Sequence, residues 1–218
     1  KSAAADFLAQ RARGGPALEL GIGTGRVALL LKERGVAVHG IDASEKMVER
    51  LREKPGGGDI PVTVGDLADV GVDGSYPLIY VPFNTLFALE SQEDQIRCFK
   101  NVRDRLTDDG VFVTETFVPD VTRYERNQGT SVEDIRSDRV FVSFSQHDPV
   151  TQTSMTQHVF FSSKGIELFP VFLRYAYPAE MDLMARVAGL ALRERYGDWR
   201  MAPFNSSSTA HISVYGPE

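Results

Sequence analysis

Short apolar runs alternate with amphipathic segments through the first half of the chain, and this alternation limits the possible folds more than any other feature. The strand-like runs lie at 17–20, 36–41, 61–64, 77–81 and 111–117. Strands that alternate with helices of this length form βαβ units, whose strands lie parallel in one sheet with helices on both faces. The near-continuous apolar character of several runs agrees with strands that are buried on both sides.

Two sequence signals mark where helices begin. Ser44 precedes apolar residues at helical spacing through Leu51 and is predicted to cap that helix. Ser91, followed by Asp94 three residues later, is an acidic version of the capping box and predicts a second helix. We expect this second helix to end at 108–110, where Asp-Asp-Gly interrupts the pattern.

The pattern changes after Pro119. Residues 120–138 are polar and predicted to be irregular. Strand-like runs follow at 139–145, 154–162 and 166–177, with turn signals between them. Consecutive strands without intervening helices predict an antiparallel meander. We therefore predict one domain over 1–218, with an inserted antiparallel β flap, or substrate lid, over 120–177.

A last helix and two strands are predicted to close the chain. Pro178 is expected to begin the helix and Gly189 to end it. The side chains expected to face inward are Met181, Leu183, Met184 and Val187. The two strands are predicted at 190–196 and 211–215, joined by a loop over 197–210.

A glycine-rich segment between the first strand and the next helix is the main chemical signal. It reads Glu-Leu-Gly-Ile-Gly-Thr-Gly-Arg over 19–26. Glycines there let the backbone approach a ligand closely at a helix N-terminus. A dinucleotide-binding loop would carry a glycine where Arg26 stands. Glu19, two residues before the first glycine, would repel a pyrophosphate but suits a cationic ligand.

Two further acids follow the next strands. Asp42 ends the second strand, where it is placed to accept hydrogen bonds from both hydroxyls of a ribose. Asp66 ends the third strand, where it could accept from an adenine amino group. The carboxyl ends of parallel strands meet at one edge of a sheet, so these acids and the glycine loop should face one crevice.

These segments together resemble the class I S-adenosylmethionine-dependent methyltransferases. The resemblance rests on 17–31, on Gly-Ile-Asp-Ala-Ser at 40–44 and on Gly-Asp-Leu at 65–67. It implies a Rossmann-like, mostly parallel sheet with strand order 3-2-1-4-5-7-6, whose last strand is antiparallel. It is specific over 17–116 and looser, by topology, over 178–216. The inserted meander is similar to that of small-molecule methyltransferases of bacteria, including those that dimethylate amino groups of nucleotide-linked sugars.

The resemblance also implies where the cofactor, S-adenosyl-L-methionine, and the acceptor bind. The cofactor-binding residues would be Glu19, Gly21, Gly23, Gly25, Asp42, Ala43, Met47, Asp66, Leu67 and Phe83. By topology, the segment after the fourth strand and the loop before the last strand overhang the same crevice. The residues expected to contact the acceptor there are Asn84, Phe87, Trp199 and Phe204. For Trp199, a loop anchor packed on the flap is an equally good interpretation.

A catalytic base is needed only if the acceptor must lose a proton. His147, in a predicted turn of the flap, and Glu115, at the end of the fifth strand, are the two candidates. A capping role would explain His147 equally well. The other three histidines, His39, His158 and His211, lie inside predicted strands and are expected to be structural.

Composition narrows the function and its partners. The net charge of −6 argues against general nucleic-acid binding, and the chain has no apolar stretch long enough for a transmembrane helix. The single cysteine, Cys98, excludes an internal disulfide and fits a reducing, cytoplasmic compartment. The few Cys and His residues lack metal-ligand spacing, which predicts a metal-independent site.

The sequence therefore predicts a methyltransferase acting on a small-molecule acceptor at O, N or an activated C. The alternatives are a nucleotide-cofactor oxidoreductase, which Glu19 and Arg26 disfavour, and a non-catalytic module that binds the cofactor, which the long flap disfavours. An exposed edge strand of the meander makes a homodimer possible. Because the chain begins without Met, we expect preceding residues that belong to the substrate lid.

Overall fold

A computed structural model describes residues 2–218. In the first half, five strands alternate with four helices. The elements are α1 (Ser2–Ala12), β1 (Ala17–Leu20), α2 (Ala28–Lys32), β2 (Val38–Asp42), α3 (Glu45–Arg52), β3 (Val62–Val64), β4 (Tyr76–Val81), α4 (Gln92–Arg105) and β5 (Leu106–Phe117). A short 3₁₀ turn over Thr85–Ala88 follows β4.

The second half contains six strands and one helix. After a 3₁₀ turn at Val121–Arg123 come β6 (Gln128–Ile135), β7 (Arg139–Asp148), β8 (Thr153–Ser162), β9 (Gly165–Arg174), α5 (Pro178–Val187), β10 (Leu190–Tyr196) and β11 (Ala210–Pro217). None of the helices within 2–218 combines the length and the apolar character needed to cross a bilayer.

Seven of the strands form one sheet with the order β3-β2-β1-β4-β5-β11-β10. β11 runs antiparallel to both of its neighbours, whereas the other pairs are parallel. This arrangement confirms the predicted order 3-2-1-4-5-7-6. In the register, Leu20 pairs with Ile41 and Glu19 with both Gly40 and Tyr80, so the carboxyl ends of β1, β2 and β4 share one edge.

Alternate residues of each strand enter two separate cores on the two faces of this sheet. Leu18 and Leu20 of β1 pack into one core, which α4 and α5 cover. Ala17 of the same strand packs into the other core, which includes Leu8 of α1 and Leu31 of α2. Burial on both faces explains why the strands of the first half are apolar at successive positions.

The predicted helix caps are present. The Ser44 hydroxyl accepts from the backbone N–H of Met47 at 3.4 Å, and that of Ser91 accepts from Asp94 at 3.0 Å. The expected end of α4 at 108–110 was wrong, because the helix ends at Arg105 and β5 begins at once. The register of β5 against β4 shifts between the pair Tyr76–Leu106 and the pair Leu78–Val111. The Asp-Asp-Gly stretch at 108–110 therefore forms an irregularity within the strand.

Four strands form a second, wholly antiparallel sheet, the flap sheet, with the order β6-β7-β8-β9. The expectation that 120–138 is irregular was wrong over β6. This strand has few apolar residues, and it is defined by backbone pairing with β7 rather than by an apolar face. β7 extends to Asp148, so His147 lies in a strand and not in the predicted turn.

The flap sheet is joined to the main body by a buried polar cluster at the end of β9. Arg174 donates to Gln95 of α4 at 2.8 Å and to Glu180 of α5 at 2.5 Å. Gln152, in the turn before β8, also donates to Glu180, at 2.7 Å. These bonds fix the orientation of the flap root relative to two helices of the body.

The predicted inward face of α5 was wrong at two positions. Leu183 and Val187 are 59% and 55% exposed, whereas Met181, Met184 and Ala185 are buried. The buried positions follow the i, i+3, i+4 spacing of one helix face, and the two exposed residues lie on the opposite side. The sequence misled because both faces of this helix carry apolar residues.

Candidate active site

The glycine loop after β1 is held tightly against its surroundings. Gly21 has φ +69°, and a Cβ there would lie 2.3 Å from the Cγ2 atom of Thr85. Gly25 has φ +73°, and a Cβ there would lie 2.4 Å from Leu51. Both positions therefore require glycine for conformation and for space. The backbone of this loop can consequently lie directly beneath a ligand.

Asp42 connects the end of β2 to the glycine loop. Its Oδ2 atom accepts from the backbone N–H of Gly23 at 2.6 Å, and its Oδ1 atom accepts from Ser44 at 2.8 Å. A carboxylate offers about four lone-pair sites. Two lone-pair sites therefore remain to accept from hydroxyl groups of a ligand, while the bonds from Gly23 and Ser44 orient the Asp42 side chain.

Glu19 is buried at the base of the same region. It is 2% exposed, and the Tyr80 hydroxyl donates to its Oε2 atom at 2.8 Å. Burial raises the pKa of Glu19 to about 8, although the bond from Tyr80 and the charge of Arg26 oppose the rise. In the protein alone, the Glu19 carboxyl is therefore largely protonated near neutral pH.

These groups border a cavity of about 560 Å³. Predicted residues that line it are Glu19, Gly21, Gly23, Asp42, Ala43, Met47, Leu67 and Phe83. The sequence reasoning missed Ile22, Thr24, Arg26, Ser44, Arg50 and Thr85, which also line it. One of these residues, Arg26, had a sequence signal, because it stands where a dinucleotide-binding loop would carry a glycine. Its guanidinium lies 4.2 Å from the centroid of the Phe83 ring.

Two predicted cofactor residues lie outside the lining of this cavity. Gly25 packs against Leu51, behind the loop. Asp66 is exposed, and its Oδ1 atom accepts from the backbone N–H of Ala68 at 2.8 Å, as in an Asx turn. The next residue, Leu67, does line the cavity, so the end of β3 reaches the crevice as predicted.

Comparison with known proteins agrees with this geometry. The family described as "Methyltransferase domain" matches residues 17–110. The CcbJ methyltransferase from Streptomyces caelestis has a structure with a TM-score of 0.95 and 41% identity, over 99% of this chain and 88% of that one. This chain belongs to the S-adenosylmethionine-dependent methyltransferases.

Two other similar proteins extend the comparison. The cypemycin N-terminal methyltransferase of a Streptomyces species is 26% identical to this methyltransferase over 198 residues, which are 90% of this chain and 81% of the relative. CalS10 from Micromonospora echinaspora, solved with S-adenosylmethionine bound, has a TM-score of 0.70 at 17% identity. That match covers 96% of this chain and 89% of CalS10 and shows a common fold. The comparisons give the oxidoreductase alternative no support.

The methyltransferase carries unusual backbone conformation directly after β4. Phe83 and Asn84 both have left-handed φ values, +57° and +63°. Such values are uncommon outside glycine and cluster at functional sites. Asn84 is fixed by accepting from the backbone N–H of Phe117 at 2.7 Å and by donating from its own N–H to the Glu115 carbonyl at 3.0 Å.

Glu115 holds two groups at the end of β5. Its Oε2 atom accepts from the backbone N–H of Phe83 at 2.8 Å, and its Oε1 atom accepts from the Trp199 indole at 2.7 Å. Trp199 also packs edge-on against Phe7 of α1, with ring centroids 5.4 Å apart. Trp199 is thus a loop anchor, packed on α1 rather than on the flap.

His147 lies in a stack of aromatic rings at the root of the flap. Its ring is parallel to that of Tyr124, with centroids 4.5 Å apart, and its Nε2 atom lies 2.6 Å from the Tyr175 hydroxyl. Tyr124 and Tyr175 line a small second cavity together with Phe117. Asn84 accepts from Phe117, which lines this second cavity, and directly follows Phe83, which lines the larger one. Asn84 therefore connects the linings of the two cavities.

Phe87 and Phe204 occupy different surroundings. Phe87 is fully buried and packs edge-on against Phe117, with centroids 5.1 Å apart. Phe204 is half-buried in the loop before β11, against His211. Phe87 therefore supports a cavity wall from behind.

The remaining histidines are hydrogen-bonded inside strands. His39 bonds to Tyr76 and His158 to Ser143, both at 2.8 Å. His211 is fully buried between Thr116 and Ser213, and burial lowers its pKa to about 4. These contacts agree with the structural interpretation of all three. Within residues 2–218, no cluster of three or more His, Cys, Asp or Glu side chains has the arrangement of a metal site.

Proposed function

We propose that this methyltransferase methylates a nitrogen atom of a small-molecule amine. The observation that carries the proposal is the hydrogen bond between His147 and Tyr175, because Tyr175 lines the small cavity at Phe117, the residue that Asn84 joins to the segment after β4. The 26% identical relative is named for methylation at an N-terminus, which supports nitrogen as the acceptor atom. Oxygen and activated carbon, which the sequence leaves open, are the competing acceptors.

The residues of the larger cavity fit S-adenosylmethionine. A volume of about 560 Å³ lies in the range of small-molecule sites. When bound, the cofactor supplies a methyl group on a positively charged sulfur. We assign Glu19 and the glycine loop to the methionine end and the free lone pairs of Asp42 to the ribose. Met47, 40% exposed at the rim, and Leu67 are assigned to the adenine.

The acceptor is assigned to the side of Phe83 that leads to Phe117. Phe117, Tyr124 and Tyr175 would contact it, and Asn84 and Phe87 would hold Phe117 in place. Phe204, in the loop before β11, is also assigned to contact the acceptor. Methyl transfer is an in-line displacement, so holding the acceptor in one orientation supplies much of the acceleration.

A proton must leave the acceptor if it is an amine. Alkyl ammonium groups have pKa values near 10, so the free amine that attacks is a minor form at neutral pH. We assign Tyr175 to accept this proton at its oxygen while its own proton passes to Nε2 of His147, 2.6 Å away. Glu115 accepts one hydrogen bond at each oxygen, from Phe83 and from Trp199, so we assign it to positioning these two residues.

A methylation screen with S-adenosylmethionine carrying a deuterated methyl group tests the acceptor. We expect labelled product from small amines and none from matched alcohols, detected by mass spectrometry. Labelled alcohols without labelled amines would overturn the choice of nitrogen. Absence of any product, with intact cofactor binding, would favour the non-catalytic alternative.

Variants at the flap test the proton path. We expect Tyr175→Phe and His147→Gln to lower kcat/KM by about 10²–10⁴-fold. His158→Gln is the matched control, because His158 is also a flap histidine bonded to a hydroxyl, that of Ser143. Equal losses in all three variants would mean that the flap was merely destabilised.

We also propose a cytoplasmic location. The one cysteine, Cys98, is a free thiol with no second cysteine to pair with, and a chain without disulfides fits a reducing compartment. Fractionation of the native host with detection of this protein tests the location.

A further inference from the structure

The outer face of the flap sheet is apolar and exposed. Strand register places directly paired residues on the same face, so the pairing identifies which side chains share it. The four rows that cross all four strands are Ile135, Val140, Phe161 and Ile166; Val132, Val142, Val159 and Leu168; Thr130, Phe144, Gln157 and Pro170; and Gln128, Gln146, Met155 and Phe172. A further row of three strands, Asp148, Thr153 and Arg174, continues this face to the body of the protein, where Arg174 bonds to Gln95 and Glu180. We call the set of four full rows the outer flap face. Twelve of its sixteen members are apolar and none is charged.

The exposure of the outer flap face is unusual for an apolar surface. Ile135, Ile166 and Leu168 are 60–69% exposed, and the larger rings of Phe144 and Phe172 are 47% and 54% exposed. Strand spacing and rise give the face dimensions of about 20 Å by 20 Å, or about 400 Å² in projection. An apolar patch of this size is often an interaction site.

The opposite, inner face differs in chemistry and in surroundings. It carries Ser143 with His158 and Ser145 with Thr156, two hydrogen-bonded cross-strand pairs. Ser143 and Ser145 are buried, and Tyr124 stacks on His147 at the same face. Ser154, Thr156 and Leu173 of the inner face also line the cavity at Phe117, so the protein covers this face at the end of the flap near Arg174, whereas the outer face stays exposed.

We propose that the outer flap face is the interface of a homodimer, with two flap sheets packed face to face about a two-fold axis. A patch without charges can face its own copy without like-charge repulsion, as an isologous contact requires. Stable interfaces bury about 800 Å² on each partner. The outer flap face supplies about 400 Å² of this area in projection, and side-chain relief and the polar residues at its rim supply the rest.

Edge-to-edge pairing of the flap sheets is the competing geometry, and both edges oppose it. β6 carries a register shift between Val132 and Asp134, together with the acidic Glu133 and Asp134. The other edge, β9, carries Pro170 in its middle. Bulges, charges and proline are the devices that keep edge strands from pairing. The dimer therefore uses the face of the meander rather than its edge.

A lipid surface is a second competing partner, and charge opposes it. The outer flap face has no Lys or Arg, and the whole chain has a net charge of −6. Binding to anionic membranes draws on clustered basic residues. A second copy of the chain requires no such charges.

Light scattering coupled to size-exclusion chromatography tests the dimer, with a variant and a matched control on adjacent residues. Leu168 lies on the outer face and Phe169 on the inner face, and they are 60% and 48% exposed. We expect wild type and Phe169→Glu at twice the chain mass at about 50 µM and Leu168→Glu at the chain mass. A monomeric wild type, or a dimer that survives Leu168→Glu, would overturn the proposal.

Oxidative cross-linking supplies a second readout that does not depend on disrupting the interface. Gln157→Cys places a thiol near the centre of the outer face, whereas Thr156→Cys places one on the inner face, and the native Cys98 is buried. A disulfide-linked dimer of the first variant alone supports the face-to-face geometry. Cross-linking of both or neither would contradict it, as would sedimentation of monomeric wild type with phosphatidylcholine vesicles. Cofactor titration of each variant shows whether it is folded, so these outcomes are separate from any failure of the proposed methylation.

Discussion

Cofactor affinity should depend on pH through Glu19. Burial raises the pKa of this carboxyl to about 8 in the protein alone. A bound cation favours the ionised form, so binding below pH 8 must release the proton that Glu19 holds. About half of the Glu19 carboxyl is ionised at pH 8 and about 1% at pH 6, so the Kd should rise by about 50-fold between pH 8 and pH 6. This magnitude holds if the pKa in the complex falls below 6.

Isothermal titration calorimetry in buffers of different ionisation enthalpy measures both the Kd and the protons released. At pH 7 we expect nearly one proton released for each S-adenosylmethionine bound. Because the α-amino group of the ligand also titrates near pH 8, the relevant quantity is the difference between wild type and Glu19→Gln. The variant keeps the shape of the side chain and its acceptor for Tyr80, but it should bind weakly with no loss of affinity from pH 8 to pH 6.

Tyr80→Phe is the second control for this prediction. The Tyr80 hydroxyl donates to Glu19 and lowers its pKa, so removing it should move the pH dependence upward. An identical Kd at pH 6 and pH 8 for wild type, with no proton release, would show that Glu19 does not lose a proton when the cofactor binds.

Three further perturbations follow from the same contacts. Asp42→Asn should weaken S-adenosylmethionine binding by about tenfold or more, since it removes a charge-assisted acceptor from Gly23; calorimetry checks this, and unchanged affinity would show that Asp42 does not hold the ribose. Glu115→Gln should raise the KM for the acceptor and leave cofactor affinity near wild type, which steady-state kinetics and calorimetry distinguish; a lost cofactor site would contradict the positioning role. Ser91→Ala should lower the free energy of unfolding by about 1 kcal/mol in urea titrations, because the α4 cap is lost, and no change would mean that solvent replaces the cap.

The βαβ core and the cofactor edge were predictable because their signals are local. Strand length, helix caps and the ends of parallel strands place Asp42 and the glycine loop on one edge without any knowledge of side-chain packing. The order of the two closing strands came from the resemblance, and the register of β11 against β5 confirms it.

The flap was less predictable because its strands are defined by cross-strand pairing. β6 has no continuous apolar face, so it resembles a loop until β7 pairs with it. The bonds from Trp199 to Glu115 and from Tyr175 to His147 join residues 84 and 28 positions apart. Contacts at such separations depend on tertiary packing, and no spacing rule indicates them.

A crystal structure with bound S-adenosylhomocysteine would test the assignment of the cofactor to the cavity between Glu19 and Phe83. We expect the ligand to fill this cavity, with both ribose hydroxyls donating to Asp42. The sulfur should be directed toward Phe83 and the cavity at Phe117. A ligand whose ribose lies away from Asp42, or whose sulfur faces away from Phe83, would contradict this assignment.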